Sequence, residues 1–534
     1  MITVEVIGAD VKKQKIMNLP SIAIHVHHNG AAAVYHENEI IAVIELERLV
    51  NLKNASWDFF EPIPAKDFVL KAIYEYLKEK FGFTHYDKFI IGYGYKEMPE
   101  LNKSIIPANG YIVDESHHPA HAYSSFAQSP FERALVISFD GGSNDGFFNL
   151  YLAEKGKDLN NIINFGIDLG SHYHLIGLFC EEVRNYHALT ASGKVLGLQS
   201  YGRVIEEWKA PLTRFFESPV PFWVDIENKK KRLSDEIGIP FSEQNKLSGE
   251  NAYNFARTAQ EAFEEVFFKY ADEFIKKYNL PLVLTGGCAL NIVLNTRVKE
   301  RYGLDVFVAP NSTDCGLPVG FLCKHFKPTN IIDVTYKGVG VLDKFSLMEY
   351  VNTRHARTAS MDVMLNDLMG GRILGVVQGN AEHGPRALGN RSIICSPIPH
   401  DMKDILNLKV KHREWYRPFA PIVRLEDVSE YFEWEGESRW MNFCPKVREQ
   451  YKDRLPAITH VDGTARVQTI TREQNTFIYD LLTAFKEKTG IGVLVNTSFN
   501  VDGKPILSTY KDAIKVFDDT QLDRLYLDGY YFTK

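Results

Sequence analysis

The sequence predicts an α/β protein of at least two domains, the first of them duplicated, and three observations carry that prediction. A chain of 534 residues is too long for one hydrophobic core. Hairpin strands leading into helices occur twice, near residue 21 and again near residue 134. A further set of apolar runs follows residues 326–345, where Lys327-Pro-Thr-Asn and Lys337-Gly-Val-Gly read as a linker.

The elements follow in chain order. Ser21-Ile-Ala-Ile-His-Val-His, Ala31-Ala-Ala-Val-Tyr and residues 40–47 read as three strands separated by turns at Asn29-Gly30 and Glu37-Asn38. A helix over 66–80 and a strand near Phe89 come next. Ala134-Leu-Val-Ile-Ser-Phe-Asp140-Gly-Gly opens the second hairpin, which runs through Gly146-Phe-Phe-Asn-Leu-Tyr-Leu. Residues 255–278 carry apolar side chains at 262, 263, 266, 267, 270 and 274, the spacing of one buried helix face. That helix leads into Leu282-Val-Leu-Thr-Gly286-Gly287-Cys-Ala-Leu-Asn291, a buried strand turning sharply into a helix. Beyond the linker, residues 373–379, 419–423 and 492–496 read as strands of a second α/β unit.

Composition narrows the function classes. Apolar residues make up 45% and charged residues 24%, as in an ordinary soluble globular protein. The six cysteines include no C-x-x-C pair, which argues against a structural zinc site and a disulfide scaffold. No basic-then-apolar leader and no run of about 20 apolar residues is visible, so a cytoplasmic protein without membrane contact is expected. A net charge of −7 counts against binding bulk nucleic acid.

Against that acidic background one window is basic. Between His383 and Arg417 seven Lys/Arg face three Asp/Glu. The window opens with His383-Gly-Pro-Arg-Ala-Leu-Gly-Asn-Arg-Ser392 and closes with Lys411-His-Arg-Glu-Trp-Tyr-Arg417-Pro-Phe-Ala-Pro421. Gly and Pro interrupt helical spacing, so the guanidinium groups sit on shaped loops that suit phosphate or carboxylate better than a solvated helix face does. Arg466, in Asp462-Gly-Thr-Ala-Arg466, adds a cation, while Asn496 and Ser498 lie two apart at a strand end and present hydrogen bonds on one side.

A second constellation suits a metal. His117 and His121 in Glu115-Ser-His-His-Pro-Ala-His share a helix face, with His118 directed elsewhere. Asp140 and Asp314, each ending a strand beside glycine, are the carboxylates that could complete the site. The same spacing also fits surface histidines without a ligand, and H-E-x-x-H is not met. Gly286-Gly287 permits close backbone approach to a phosphate, with Asn291 on the helix that follows, although Gly-Gly also marks plain tight turns.

With these residues in view, the chain resembles the NodU/CmcH carbamoyltransferase family. The match runs from His28-Asn-Gly-Ala-Ala and Glu47-Arg48 through His117-x-x-x-His121, Asp140-Gly-Gly, Gly193-Lys, Gly286–Asn291 and Asp314. It continues through 383–392, 411–421, 460–468 and 496–500, and so spans about residues 20 to 530. The resemblance implies a Kae1-like, actin/hexokinase-type unit over 1–340 and a YrdC-like unit over 341–534. It implies a metal, often iron, on His117, His121, Asp140 and Asp314. It also implies a carbamoyl-phosphate and ATP site, working with Mg²⁺, on Arg386, Lys411, Arg417, Arg466, Asn496 and Ser498. The reaction it implies forms carbamoyl-adenylate and then carbamoylates a hydroxyl of a small acceptor, with His28 taking the acceptor's proton. A homodimer is common in the family. Where the family carries Gly before the metal aspartate, Thr313 stands here, and Pro318 follows.

Two other readings share the fold. A threonylcarbamoyl-type tRNA enzyme calls for a basic surface that the net charge of −7 argues against. A catalytically inactive nucleotide-binding regulator would not be expected to keep every cation and both metal-site histidines. For the acceptor pocket, Trp57, Phe59, Phe60, Tyr173 and His174 are the candidate stacking side chains, each equally suited to core packing.

Overall fold

A computed structural model describes residues 19–57, 63–92, 102–183, 188–218, 226–240 and 246–534. Three sheets organise it. In the first, β1 (Ser21–His25), β2 (Ala31–His36) and β3 (Glu39–Glu45) form an antiparallel meander. The strands β4 (Tyr86–Gly92) and β5 (Ala108–Asp114) then extend the sheet in parallel from β1. The turn residues Asn29, Glu37 and Asn38 take positive φ, which is what tight hairpin connections require.

The second sheet repeats that plan strand for strand. A meander of β6 (Arg133–Phe139), β7 (Phe148–Glu154) and β8 (Asn160–Phe165) is extended from β6 by parallel β9 (Leu282–Thr285) and β10 (Val306–Val308). Both sheets therefore have the order third-second-first-fourth-fifth. The duplication expected from the two hairpins is present as topology, which makes this unit actin/hexokinase-like in build.

The two halves exchange helices. The helix His118–Gln128 follows β5 but packs on β6 and β9, while Leu317–Phe326 follows β10 and packs on β1, β2 and β4. Leu317–Phe326 is buried from Leu317 through Cys323, so it is held between layers. Its partner helix is likewise buried along most of its length, and the starts of both helices meet at the junction of the halves. Each strand-to-helix turn thus delivers polar residues to one shared place.

The third sheet draws only on residues 357–533. It holds β11 (Arg357–Thr358), β12 (Leu374–Val377), β13 (Arg391–Cys395), β14 (Ala420–Arg424), β15 (Gln468–Ile470), β16 (Val493–Ser498), β17 (Arg524–Leu527) and β18 (Tyr530–Thr533). Their order is β11-β18-β17-β12-β13-β16-β14-β15, a mixed sheet.

Two readings need correction. Residues 326–345 are not a free linker, because Ile332, Val334 and Val339 are buried and Val43 N–H donates to Lys337 O along the edge of the first sheet. Part of the 383–392 loop is strand β13, since Arg391 and Ser392 lead straight into the buried apolar run Ile393, Ile394 and Cys395 that pairs with β12 and β16.

Candidate metal and anion sites

The junction of the duplicated halves gathers the predicted histidines and aspartates. His117 precedes the helix His118–Gln128 at its cap position and His121 lies one turn in, so both rings face the same way. Their Nε2 atoms are 3.2 Å apart. Asp140, just past β6, brings Oδ2 to 3.2 Å from His121 Nε2 and 3.8 Å from His117 Nε2. Asp314, which opens the turn into Leu317–Phe326, brings Oδ1 to 3.4 and 3.8 Å from the same two atoms. One donor atom from each of the four residues lies within 4.8 Å of the rest.

Two imidazoles and two carboxylates converging at that spacing match the donors and charge of a divalent cation. Burial disfavours a charged His121, but hydrogen bonds and charge from Asp140 and Asp314 outweigh it and push its pKa up to about 9. Hydrogen bonds from His117 and His121 hold Asp140, and the charges of His28 and His117 with a hydrogen bond from His121 hold Asp314, below the ordinary carboxylate range against the opposing effect of burial. The positive charge that the two acids call for is one a metal can supply. His118 is turned away, with Nδ1 at 2.8 Å from Ser138 Oγ and Nε2 at 3.0 Å from Gly146 O.

Gly286 and Gly287 seat Asp140. Gly287 N–H donates to Asp140 Oδ2 at 2.7 Å, and Gly141 N–H donates to Oδ1 at 2.7 Å. A Cβ on Gly287 would stand 2.7 Å from Asp140 Oδ1, so only glycine leaves the carboxylate in place. Asn291 accepts from Leu294 N–H as the cap of the helix Ile292–Tyr302 and exchanges hydrogen bonds with Gln260. Thr313 has φ −86° and ψ 178°, extended backbone that any residue adopts, so the missing glycine before Asp314 costs no strain.

The other oxygen of Asp314, Oδ2, faces the end of β1. His28 Nδ1 lies 3.5 Å away and is half exposed, whereas fully buried His25 has Nε2 at 3.7 Å. Burial brings the His25 pKa down to about 4, so it is neutral. Sequence reasoning named His28 and missed His25; the signal was the histidine density of Ile24-His-Val-His-His.

The C-terminal unit brings the predicted cations together. Lys411 is buried and gives its ammonium protons to Ser498 O, Asn500 O and Asn500 Oδ1. Burial comes first in lowering its basicity, followed by Arg413, Arg417 and Lys53. Arg386 is brought down to about 10 by burial and then Arg417, and Arg466 falls well below the usual range through burial, Arg386 and Arg417. The Nε atoms of Arg386 and Arg466 have no hydrogen-bond partner among the described residues. Asn496 donates to Ala387 O and Gln468 Oε1, which fixes it beside the Arg386 loop, and Ser498 Oγ donates to Asn500 Oδ1.

This wall also contains Arg413, which stacks on Phe419, and it is met by Lys53 and Lys194 from the N-terminal unit. Arg413 lies inside the 411–421 motif, while the two lysines are far away in sequence. Arg391, the second arginine of the 383–392 motif, is excluded from the wall. Buried completely, it donates to Gln378 O, Gly379 O and Asn390 O and so holds the loop.

The candidate acceptor aromatics divide. Trp57 and Tyr173 are core residues whose polar atoms bond His25 O and Gln260 Oε1, so neither is free to stack on a ligand. His174 is half-buried. Phe59 and Phe60 lie outside the described residues. No helix among the described residues is long and apolar enough to cross a membrane.

Comparison with known proteins matches both parts of the chain to one family. Residues 84–323 match the family described as carbamoyltransferase N-terminus, and residues 365–534 match carbamoyltransferase C-terminus. Nodulation protein NolNO of Sinorhizobium fredii is 30% identical over 566 residues, covering 95% of this chain and 79% of that protein. The 3'-hydroxymethylcephem-O-carbamoyltransferase of Amycolatopsis lactamdurans is 37% identical over 246 residues, 44% of this chain and 45% of that one. Among solved structures, the (R)-2-hydroxyglutaryl-CoA dehydratase component A of Acidaminococcus fermentans covers 57% of this chain and 96% of its own, at 13% identity and a TM-score of 0.33. The chain belongs to the carbamoyltransferase family of NodU/CmcH type and is an enzyme.

Proposed function

We propose that this carbamoyltransferase makes carbamoyl-adenylate at the cationic wall of a C-terminal unit, 341–534, and transfers the carbamoyl group at the His/Asp site of an N-terminal unit, 1–340. In the first step carbamoyl phosphate gives phosphate and carbamate with water. A carbamate oxygen then forms a bond to the α-phosphorus of Mg²⁺-bound ATP, and the bond to pyrophosphate breaks. In the second step the acceptor hydroxyl attacks the carbamoyl carbon, AMP leaves, and the hydroxyl proton passes to His28.

One observation carries this reading. Burial first, and then the charges of neighbouring arginines, Arg417 among them, lower the basicity of Arg386, Arg413, Arg466 and Lys411 in a wall where Glu414 and Asp502 oppose the effect only at Arg413 and Lys411. Such self-repulsion is offset when polyphosphate is bound, and the same fixed charges stabilise pyrophosphate as it departs. Asn496 and Ser498 border that wall. At the other site His117, His121, Asp140 and Asp314 would hold a divalent metal, with Fe²⁺ the expected ion. When bound, it supplies a Lewis acid for charge on the leaving phosphate. His28 is half exposed beside Asp314, where an incoming hydroxyl can reach it. The acceptor is expected to be a small hydroxylated molecule, and the protein is expected to act as a cytoplasmic homodimer.

The test is acceptor-free turnover with ATP, Mg²⁺ and carbamoyl phosphate, following AMP, pyrophosphate and phosphate. Carbamoyl-phosphate-dependent pyrophosphate release that is lost in Arg417→Ala and Lys411→Ala is the expected result. Metal-loaded protein that releases none, with or without an acceptor panel of hydroxylated sugars, would overturn the reading.

A further inference from the structure

The segment Glu382–His383–Gly384 runs from the cationic wall to the metal cluster. His383 is buried, and its Nε2–H donates to the carbonyl of Cys315 at 3.1 Å, one residue beyond the metal-site aspartate. Its backbone N–H donates to Thr335 O at 2.9 Å. Gly384 is gripped from both sides: its N–H donates to Glu45 Oε1 at 2.9 Å, and its carbonyl accepts from Arg48 Nη2 at 2.7 Å. Gly384 has φ +106°, and a Cβ there would lie 2.2 Å from Pro310 O, so the strap lies flush on the loop that leads to Asp314.

Two residues further on is Arg386, a member of the wall. The return end of the loop is equally fixed, because buried Glu382 Oε1 accepts from the N–H groups of Leu388, Asn390 and Arg391. A second tie crosses the same boundary. Lys194 of the N-terminal unit pairs with Glu414 at 2.8 Å, and the other Glu414 oxygen is 3.5 Å from Arg417. Arg386 and Arg417 are therefore each held from the unit that carries the metal cluster.

We propose that this strap couples the two sites, with His383 as a positioning residue. Ordering of the Asp314 loop by a metal fixes Cys315 O, His383 and hence Arg386, so an anion on the wall and a metal on the cluster strengthen each other's binding. The inference rests on the reading that both sites serve one reaction. Coupling of this sign limits formation of a water-sensitive adenylate to protein whose transfer site is assembled.

The experiment uses the full chain, Co²⁺ as the metal and inorganic phosphate as the anion, with phosphate affinity measured by calorimetry on metal-free and Co²⁺-loaded protein. Coupling of a typical size tightens phosphate binding at least about 5-fold on metal loading. In His383→Leu the factor is expected to fall to within about 2-fold of unity while each ligand still binds alone. His383→Gln, whose amide N–H can replace the Nε2 donor, is expected to restore it. Should His383→Leu fail to fold, Arg48→Lys cuts the same strap from the other side and takes its place. Equal phosphate affinity with and without Co²⁺ in the wild type, or an undiminished factor in the strap variant, overturns the proposal. Wild type that binds neither ligand instead sinks the reading on which it rests.

Discussion

His117 and His121 hold their Nε2 atoms 3.2 Å apart across one turn, and Asp140 Oδ2 closes to 3.2 Å from His121. That geometry has no purpose in a pair of surface histidines, since both rings are buried. Replacing His121 by Ala is expected to abolish stoichiometric metal binding, measured by elemental analysis. Acceptor carbamoylation should fall by at least about 100-fold, while the phosphate wall is left in place. Retention of one tight metal equivalent per chain in His121→Ala would count against the assignment.

Gly287→Ala places a methyl 2.7 Å from Asp140 Oδ1 and competes with the carboxylate for its seat. The expected outcome is a 10- to 100-fold loss of metal affinity, about the size seen when groups that orient metal ligands are lost. Competitive titration against a chromophoric chelator reads the change directly.

Arg466 is a cation set among cations, with its Nε unpartnered among the described residues. Arg466→Gln is expected to raise the free energy of unfolding of ligand-free protein by about 0.5–2 kcal/mol, because it removes repulsion kept for a ligand. The same change should cut pyrophosphate release by about 100-fold. Denaturant unfolding and a pyrophosphate assay on one preparation test both signs, and a destabilised variant with normal turnover would be the opposite result.

Acid stability follows from buried neutral histidines. His172 is buried with its Nδ1–H donating to Asp168 O, and burial brings its pKa from 6.5 down to about 4. The unfolded chain takes up the proton near pH 6.5 and the folded chain only near pH 4, so stability falls as pH drops through that window. The loss approaches roughly 3 kcal/mol for this one group. His172→Gln is expected to flatten the slope of unfolding free energy against pH by about one proton between pH 6 and 4.5.

Much of the fold was legible because local pattern and burial agree. The hairpins at 21 and 134 announced themselves through β-branched runs followed by glycine-bearing turns, Asn29-Gly30 and Asp140-Gly-Gly, and the helix over 255–278 through its apolar spacing, although it begins earlier, at Gly249. The short strands β10, β11 and β15, only two or three residues long, left no periodic trace. Trp57 and Tyr173 were ambiguous in sequence because an aromatic ring serves a pocket and a core equally well.

The residue types of the two sites, the sign of the wall and the repeat of a hairpin-led half were properties of the chain order alone. They depend on side-chain chemistry and on spacing within a single element. Which residues meet was decided by the tertiary fold. Helices exchanged between two sheets bring His117 and Asp314 to one point across almost two hundred positions, and the packing of the third sheet carries Lys194 to Glu414 and His383 to Cys315. Spacing cannot encode such contacts, because they arise where buried faces of distant elements find their only complementary surfaces.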